Sequence, residues 1–356
     1  MKTYMIWNNK GGVGKSYLTF QIASEYAKQN PTKQIVVIDM CPQANSSVML
    51  LGGVNQGYSN LKQLHQRINS NSNPKSIAGY INERIMSPYQ NPFKGTGYLT
   101  AVYQFNNQIP SNLSLVAGDQ NLELQAHQIE GATRTGPSDA WRYVHLWISD
   151  LIADIRNFYN QKDVTVFIDS NPSFSIYTTI ALAATDSLLI PFTADGSSLM
   201  AIQSLINLVY GHNIPGLPQS TYFQNSNTYR MTLPKIYMYI GNRLTQSNNN
   251  SATGFKNIVL HITDEIYQLW QNNSSVFEIH PNGANTPNNK SSFKNMFLYE
   301  VNDANTASVY SSVMGIPLSK VTAGPQKNMN GKRVTINQTQ LDKQVPNIEN
   351  LVKNLI

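Results

Sequence analysis

The stretch "YMIWNNKGGVGKSYLTFQIA", residues 4 to 23, constrains this chain more than any other. An apolar strand-like run enters a glycine-rich turn, and a helical pattern leaves it. A phosphate-binding loop reads G-x-x-x-x-G-K-[ST] between a strand and a helix. "NKGGVGKS" fits that pattern except that Asn9 stands at its first glycine. Gly11, Gly12 and Gly14 permit backbone angles closed to other residues and let N–H groups approach phosphate oxygens, with Val13 between them. The helix that follows adds the positive end of its dipole. In such a loop Lys15 faces the β- and γ-phosphates and the Ser16 hydroxyl binds Mg²⁺. A second lysine, Lys10, precedes Lys15 by five positions, and a generic loop does not need it.

The rest of the chain alternates short β-rich runs with helical patterns, so an α/β fold with a mostly parallel, twisted sheet flanked by helices is expected. "TYMIW" (3 to 7) and "QIVVID" (34 to 39) read as strands buried on both faces, and Leu18, Ile22, Ala23, Tyr26 and Ala27 recur between them at helical spacing. Further strands are expected at 113–118, 164–169, 187–192, 235–241 and 296–301, and helices at 140–158, 196–210, 254–271 and 339–355. A single P-loop domain spanning 1–356 is expected. Insertions fall at about 56–110, where periodicity is lost and local helices packed on the sheet edge are expected rather than a separate domain, and at about 272–292, a polar tract.

Composition limits the alternatives. The 356 residues can bury a large core. No apolar run reaches the ~18 residues of a membrane-spanning helix, and the start lacks a signal-peptide pattern. The lone cysteine, Cys41, rules out an internal disulfide framework and suits a reducing cytoplasm. A net charge of +6, with only 13% of residues charged, fits a soluble surface or weak attraction to a polyanion.

The early lysine gives the loop its affiliation. "KGGVGKS" resembles the deviant Walker A loop of the ParA/MinD group of ATPases. "VVIDMCPQANSS" (36 to 47) resembles their switch I, usually D-x-D-P-Q-x-N, and "VTVFIDSNPSFS" (164 to 175) resembles their Walker B strand and switch II, usually D-x-P-P. "LSLVAGDQNLELQ" (113 to 125) and "LLIPFTADGSSLMAIQSL" (188 to 205) extend the likeness over most of residues 1 to 320. The P-Q-x-N signature is similar to ParA partition ATPases rather than to MinD.

The resemblance implies ATP or ADP as ligand with Mg²⁺ and ATP hydrolysis, expected to be slow because Cys41 replaces the second switch I acid. Lys15 would serve the chain's own nucleotide, and Lys10 would cross a homodimer to the partner's phosphates. Asp169 and Asp39 would lie at the Mg²⁺ with Ser16, and Tyr17 would belong to the nucleotide-binding set. Asn242 and Arg243, in "YIGNRLTQ" (239 to 246), and "EVNDANTAS" (300 to 308) would line the adenine pocket. Two positions depart from the pattern. Cys41 replaces the second switch I acid, which positions the attacking water, and a neutral thiol does not accept that hydrogen bond as a carboxylate does. Asn171 stands where proline is usual.

The implied activity is an ATP-dependent dimerising switch in the cytoplasm, on the nucleoid, that binds DNA without sequence preference. It would partition plasmid or chromosomal DNA with a ParB-like centromere-binding adaptor. Lys290, Lys294, Lys327, Lys332 and Arg333, with little acid nearby in sequence, would contact the DNA. The loop begins by residue 8, so the N-terminal helix-turn-helix domain of longer ParA members is not expected. The alternative is a MinD-like positioning ATPase at a membrane or on another cargo. That function needs a basic amphipathic terminal helix. The end "LDKQVPNIENLVKNLI" is uncharged overall and carries Pro346, which reads as a packed helix without stable membrane insertion.

Overall fold

A computed structural model of the protein describes residues 2–66, 73–91, 95–160, 163–212, 218–244, 251–280, 285–302, 305–327 and 333–355, the side chains of 243, 244, 251–255 and 327 excepted. Among these residues one eight-stranded sheet organises the chain. Its strands are β1 (Lys2–Ile6), β2 (Gln34–Met40), β3 (Leu99–Ala101), β4 (Leu113–Val116), β5 (Val164–Ser170), β6 (Ser187–Phe192), β7 (Lys235–Leu244) and β8 (Leu298–Asn302). They lie in the order β3-β4-β2-β5-β1-β6-β7-β8. All neighbours pair in parallel except β3 and β4. The expected mostly parallel α/β sheet is what the chain forms.

Helices cover both faces. The first group is α1 (Lys15–Gln29), α2 (Asn45–Leu50) and α3 (Gly53–His65). The second is α4 (Ile77–Met86), α5 (Asn121–Arg134), α6 (Ala140–His145), α7 (Trp147–Phe158), α8 (Ile176–Ala183), α9 (Gly196–Tyr210), α10 (Thr221–Thr228), α11 (Ser251–Asn272) and α12 (Lys290–Phe297). The chain ends with α13 (Thr306–Met314), a hairpin of β9 (Gly324–Lys327) and β10 (Arg333–Ile336), and α14 (Gln338–Lys353). Among the described residues, no helix is long and apolar enough to cross a membrane.

The strands explain how two faces are built at once. Side chains alternate sides along a strand, so Tyr4 and Ile6 join one core with α1, while Met5 and Trp7 join the other with α8 and α9. Ile35 and Val37 divide from Val36 and Ile38 in the same way. That double burial is why β1, β2 and β5 read as continuous apolar runs.

Several elements differ from expectation. The helix expected over 140–158 is two, α6 and α7, which meet at Leu146. The aperiodic stretch after residue 56 contains most of α3 and all of α4 and, beyond the local helices expected there, the antiparallel edge strand β3. The β9–β10 hairpin was not anticipated; it sits on a small separate core of Ala307, Leu318, Ile336 and Leu341. Pro346 does not interrupt the last helix, which runs through it. Proline removes one intrahelical bond, but Leu341, Ile348, Leu351 and Val352 are buried and hold the helix on both sides of the gap.

Candidate phosphate and metal site

The site forms where the C-terminal ends of β1, β2 and β5 meet the start of α1, the position at which open parallel sheets bind ligands. Gly12 (φ 76°) and Gly14 (φ 85°) both take the left-handed conformation. Gly14 is doubly required, since a Cβ there would also lie 2.2 Å from Asn242 Nδ2. Asn8 is fully buried, accepts from the Lys10 N–H (3.1 Å) and donates to the Pro191 carbonyl (2.7 Å). Asn9, at the missing first glycine, donates to Ser204 Oγ (3.0 Å) and ties the loop to α9.

The two lysines lie in different surroundings. Lys15 is buried, and its Nζ donates to the Lys10 carbonyl at 2.8 Å, inside its own loop. Burial lowers its pKa to about 8, against the opposing pull of the Asp169 carboxylate. Lys10 pairs with the Asp195 carboxylate and donates to Thr193 Oγ1 (3.1 Å) and Ser198 Oγ (3.1 Å), all in its own chain. Asp195 also caps α9, accepting from the Ser198 N–H. Partial burial would raise the Asp195 pKa, but hydrogen bonds from Lys10, Thr193 and Ser197 outweigh it and hold the carboxyl well below the usual range.

Asp39 and Asp169 stand at the same level of adjacent strands, paired in register between β2 and β5, and both are fully buried. Their environments differ. Asp39 accepts from the Cys41 N–H (3.0 Å), the Ser47 N–H (3.0 Å) and Ser47 Oγ (2.6 Å), so it braces the segment after β2. Both oxygens of Asp169 lack a hydrogen-bond partner, although the Ser16 and Ser46 hydroxyls lie beside it. Burial, and then the Asp39 charge, push Asp169 up to about 7. A buried carboxylate without donors costs free energy unless a cation or proton satisfies it. This orphaned oxygen pair beside a serine hydroxyl is a hard-oxygen set that suits Mg²⁺.

Cys41 lines the same cavity as Gly11, Gly14, Lys15 and Ser16. Burial, then the charges of Asp39 and Asp169, push its thiol up to about 12, so it is neutral at physiological pH. Asn171 makes its own turn in place of a proline: its Oδ1 accepts from the Ser173 N–H (3.1 Å) and its Nδ2 donates to the Tyr177 hydroxyl (2.9 Å). Its carbonyl accepts from Trp7 Nε1 at 3.0 Å, which ties this turn to the end of β1.

Asn242 is brought to the loop, its Nδ2 donating to the Val13 carbonyl at 2.9 Å while its buried Oδ1 has no partner. The side chain of Arg243 and residues 303–304 of the other expected adenine segment lie outside the described residues. The basic residues fall on two separate elements of the chain. Lys290 and Lys294 lie on α12, and Lys290 pairs with Asp264 of α11, so acid is nearby in space where the sequence shows little. Lys327 and Arg333 face each other across the β9–β10 hairpin; Arg333 is exposed, while Lys332 and the Lys327 side chain lie outside the described residues.

Fold and site together define a P-loop protein with a deviant Walker A loop. A family model described as an AAA domain (AAA_31) matches residues 1–213, over half the chain, and the chain belongs to that family. The likeness to ParA/MinD-type proteins read from the loop is borne out. No curated protein matches the chain. An ATP complex of McdA from Cyanothece is similar in fold, with TM-score 0.58 at 15% identity, covering 100% of this chain and 96% of that one. A protein from Corynebacterium diphtheriae gives TM-score 0.58 at 16% identity, covering 89% and 97%. ParA of pnob8 gives TM-score 0.50 at 17% identity, covering 83% and 80%.

Proposed function

We propose that the protein is an ATP-dependent switch of the ParA type, which dimerises on ATP and moves or partitions a DNA cargo. The observation that carries this reading is the pair of lysines on one loop. Lys15 is buried in the loop, and Lys10 is held by an ion pair to Asp195 of its own chain. Bound Mg²⁺, held by Ser16 and Asp169 with Asp39 behind them, would offset charge on the phosphates. Phosphate oxygens would replace the Lys10 carbonyl as the partner of Lys15. Release of Lys10 from Asp195 frees it to reach a second chain's phosphates. Asp39 holds switch I through Ser47, and Cys41 presents a neutral wall where a water-positioning carboxylate would act, so hydrolysis is slow.

The DNA surface, the homodimer and a ParB-like adaptor belong to this proposal. The β9–β10 hairpin, with Lys327, Lys332 and Arg333, and Lys294 on α12 are the basic contacts it uses. Titrating DNA of several sequences into the protein with ATP, ADP or no nucleotide tests the reading. Binding that needs ATP, ignores sequence and falls steeply with salt supports it. Tight binding to one sequence without nucleotide would overturn it.

A further inference from the structure

We infer that a second cavity, beside the turn that follows Asp169, is a site for a small zwitterion with an apolar body. A free aromatic α-amino acid is the simplest ligand of that class. The cavity is about 610 Å³ in volume and lies where α5, α6, α9 and α10 meet the start of α8. That size is within the range of small-molecule sites. It shares no lining residue with the phosphate cavity.

Its apolar part is a shelf of aromatic rings. Trp141 stacks on Tyr229, with centroids 5.6 Å apart and planes 14° apart, and Tyr222 meets Phe174 edge to face at 5.9 Å. The shelf is pinned in place. His145 stacks on Trp141 at 3.7 Å and is itself held by Thr179 Oγ1 (3.0 Å). The Tyr229 hydroxyl donates to the Ser138 carbonyl at 3.0 Å. A wall set in advance costs a ligand little ordering.

The polar part carries both signs of charge. Glu130 and Arg134 line the cavity and stand one turn apart on α5, in the order that favours a mutual ion pair. Among the described residues they form none, with each other or with any third group. A plain cation entering the cavity meets Arg134 and a plain anion meets Glu130, so the matching ligand carries both charges. The negative end has a further partner in α8. Ser175 and Ile176, at its start, line the cavity. Ser175 makes no side-chain cap, and its hydroxyl lies 3.3 Å from Thr178 Oγ1 instead. The first N–H groups of a helix have no intrahelical partner, and with the positive dipole end they suit a carboxylate. The ligand's carboxylate thus lies toward Arg134 and α8, its ammonium toward Glu130 and its apolar body on the rings.

NMR titration of the full chain with three probes tests this: L-phenylalanine, phenethylamine, which lacks the carboxylate, and 3-phenylpropionate, which lacks the amine. L-Phenylalanine should saturate with a Kd of about 1 mM or tighter, and each single-charge probe should bind about tenfold more weakly. Glu130→Gln should weaken L-phenylalanine about tenfold without weakening 3-phenylpropionate. Arg134→Gln should weaken L-phenylalanine without weakening phenethylamine. If L-phenylalanine does not saturate, or if all three probes bind equally to the parent chain, the site is overturned. Variants that bind L-phenylalanine as the parent does, or that weaken all three probes alike, also overturn it.

Discussion

Lys10 and Lys15 share one loop, but the surrounding side chains assign them different work. Lys15 is enclosed, so its charge has little water to fall back on and depends on a phosphate or a carbonyl. Lys15→Ala should abolish nucleotide binding in a fluorescence titration, because the bound phosphate loses its main counter-charge. Cys41 makes the opposite case, a buried neutral group where the switch I pattern it resembles would have an acid. Cys41→Asp should raise single-turnover hydrolysis by about tenfold, below the usual range for a positioned acid or base because Asn171 has also reshaped its turn. Asp169→Ala serves as the inactive control, and equal rates for Cys41→Asp and the parent chain would remove Cys41 from the water's path. These residues were legible in the sequence because the loop, the strand ends and the turns are local patterns. The Asn242 contact with Val13, 229 positions away, and the Lys290 pairing with Asp264 are products of the fold.

At the scale of elements, the sequence showed strands better than the helices that wall the site. A strand buried on both faces has a continuous apolar run, whereas α3 spends its contact positions on glycines that bring backbones together. "GGVNQGYSN" therefore carries no helical hydrophobic period, and the region from about residue 56 read only as an insertion with unplaced local helices at the sheet edge. Gly57→Ala forces a Cβ against the Val48 carbonyl and should destabilise the protein by roughly 1–3 kcal/mol in denaturant unfolding, the range for overpacking. Helix α6 offers a pH test. His145 is buried, with Nδ1 on the Trp141 carbonyl (2.8 Å) and Nε2 on Thr179 Oγ1 (3.0 Å). Burial lowers its pKa from 6.5 to about 4, against the Trp141 carbonyl, which favours the charged ring. The folded chain then binds fewer protons than the unfolded one between these values. Stability present above pH 6.5 is lost as pH falls toward 4, by on the order of 3 kcal/mol. His145→Gln should flatten that part of the stability–pH curve; an unchanged slope would assign the loss to other groups.

The whole molecule sets its phosphate site at the C-terminal ends of the central strands of the large sheet and its basic hairpin on a separate small core. If the hairpin contacts DNA, Arg333→Ala should weaken binding about equally on all sequences and reduce the salt slope by about 1. A loss confined to one sequence would assign Arg333 to base reading instead.

The Lys10–Asp195 pair has a consequence for assembly. If Lys10 must be free on both chains before two of them close on each other's nucleotides, apparent association scales with the square of the free fraction. A tenfold preference for the internal pair in each chain then weakens the dimer by roughly a hundredfold. Protein concentration becomes a steep control, and a sparse population stays monomeric even when saturated with ATP. Asp195→Asn keeps the oxygen that caps α9 but removes the charge that holds Lys10. With ATP, it should shift the monomer–dimer midpoint in sedimentation to lower protein concentration, and Lys10→Ala should leave no dimer at any.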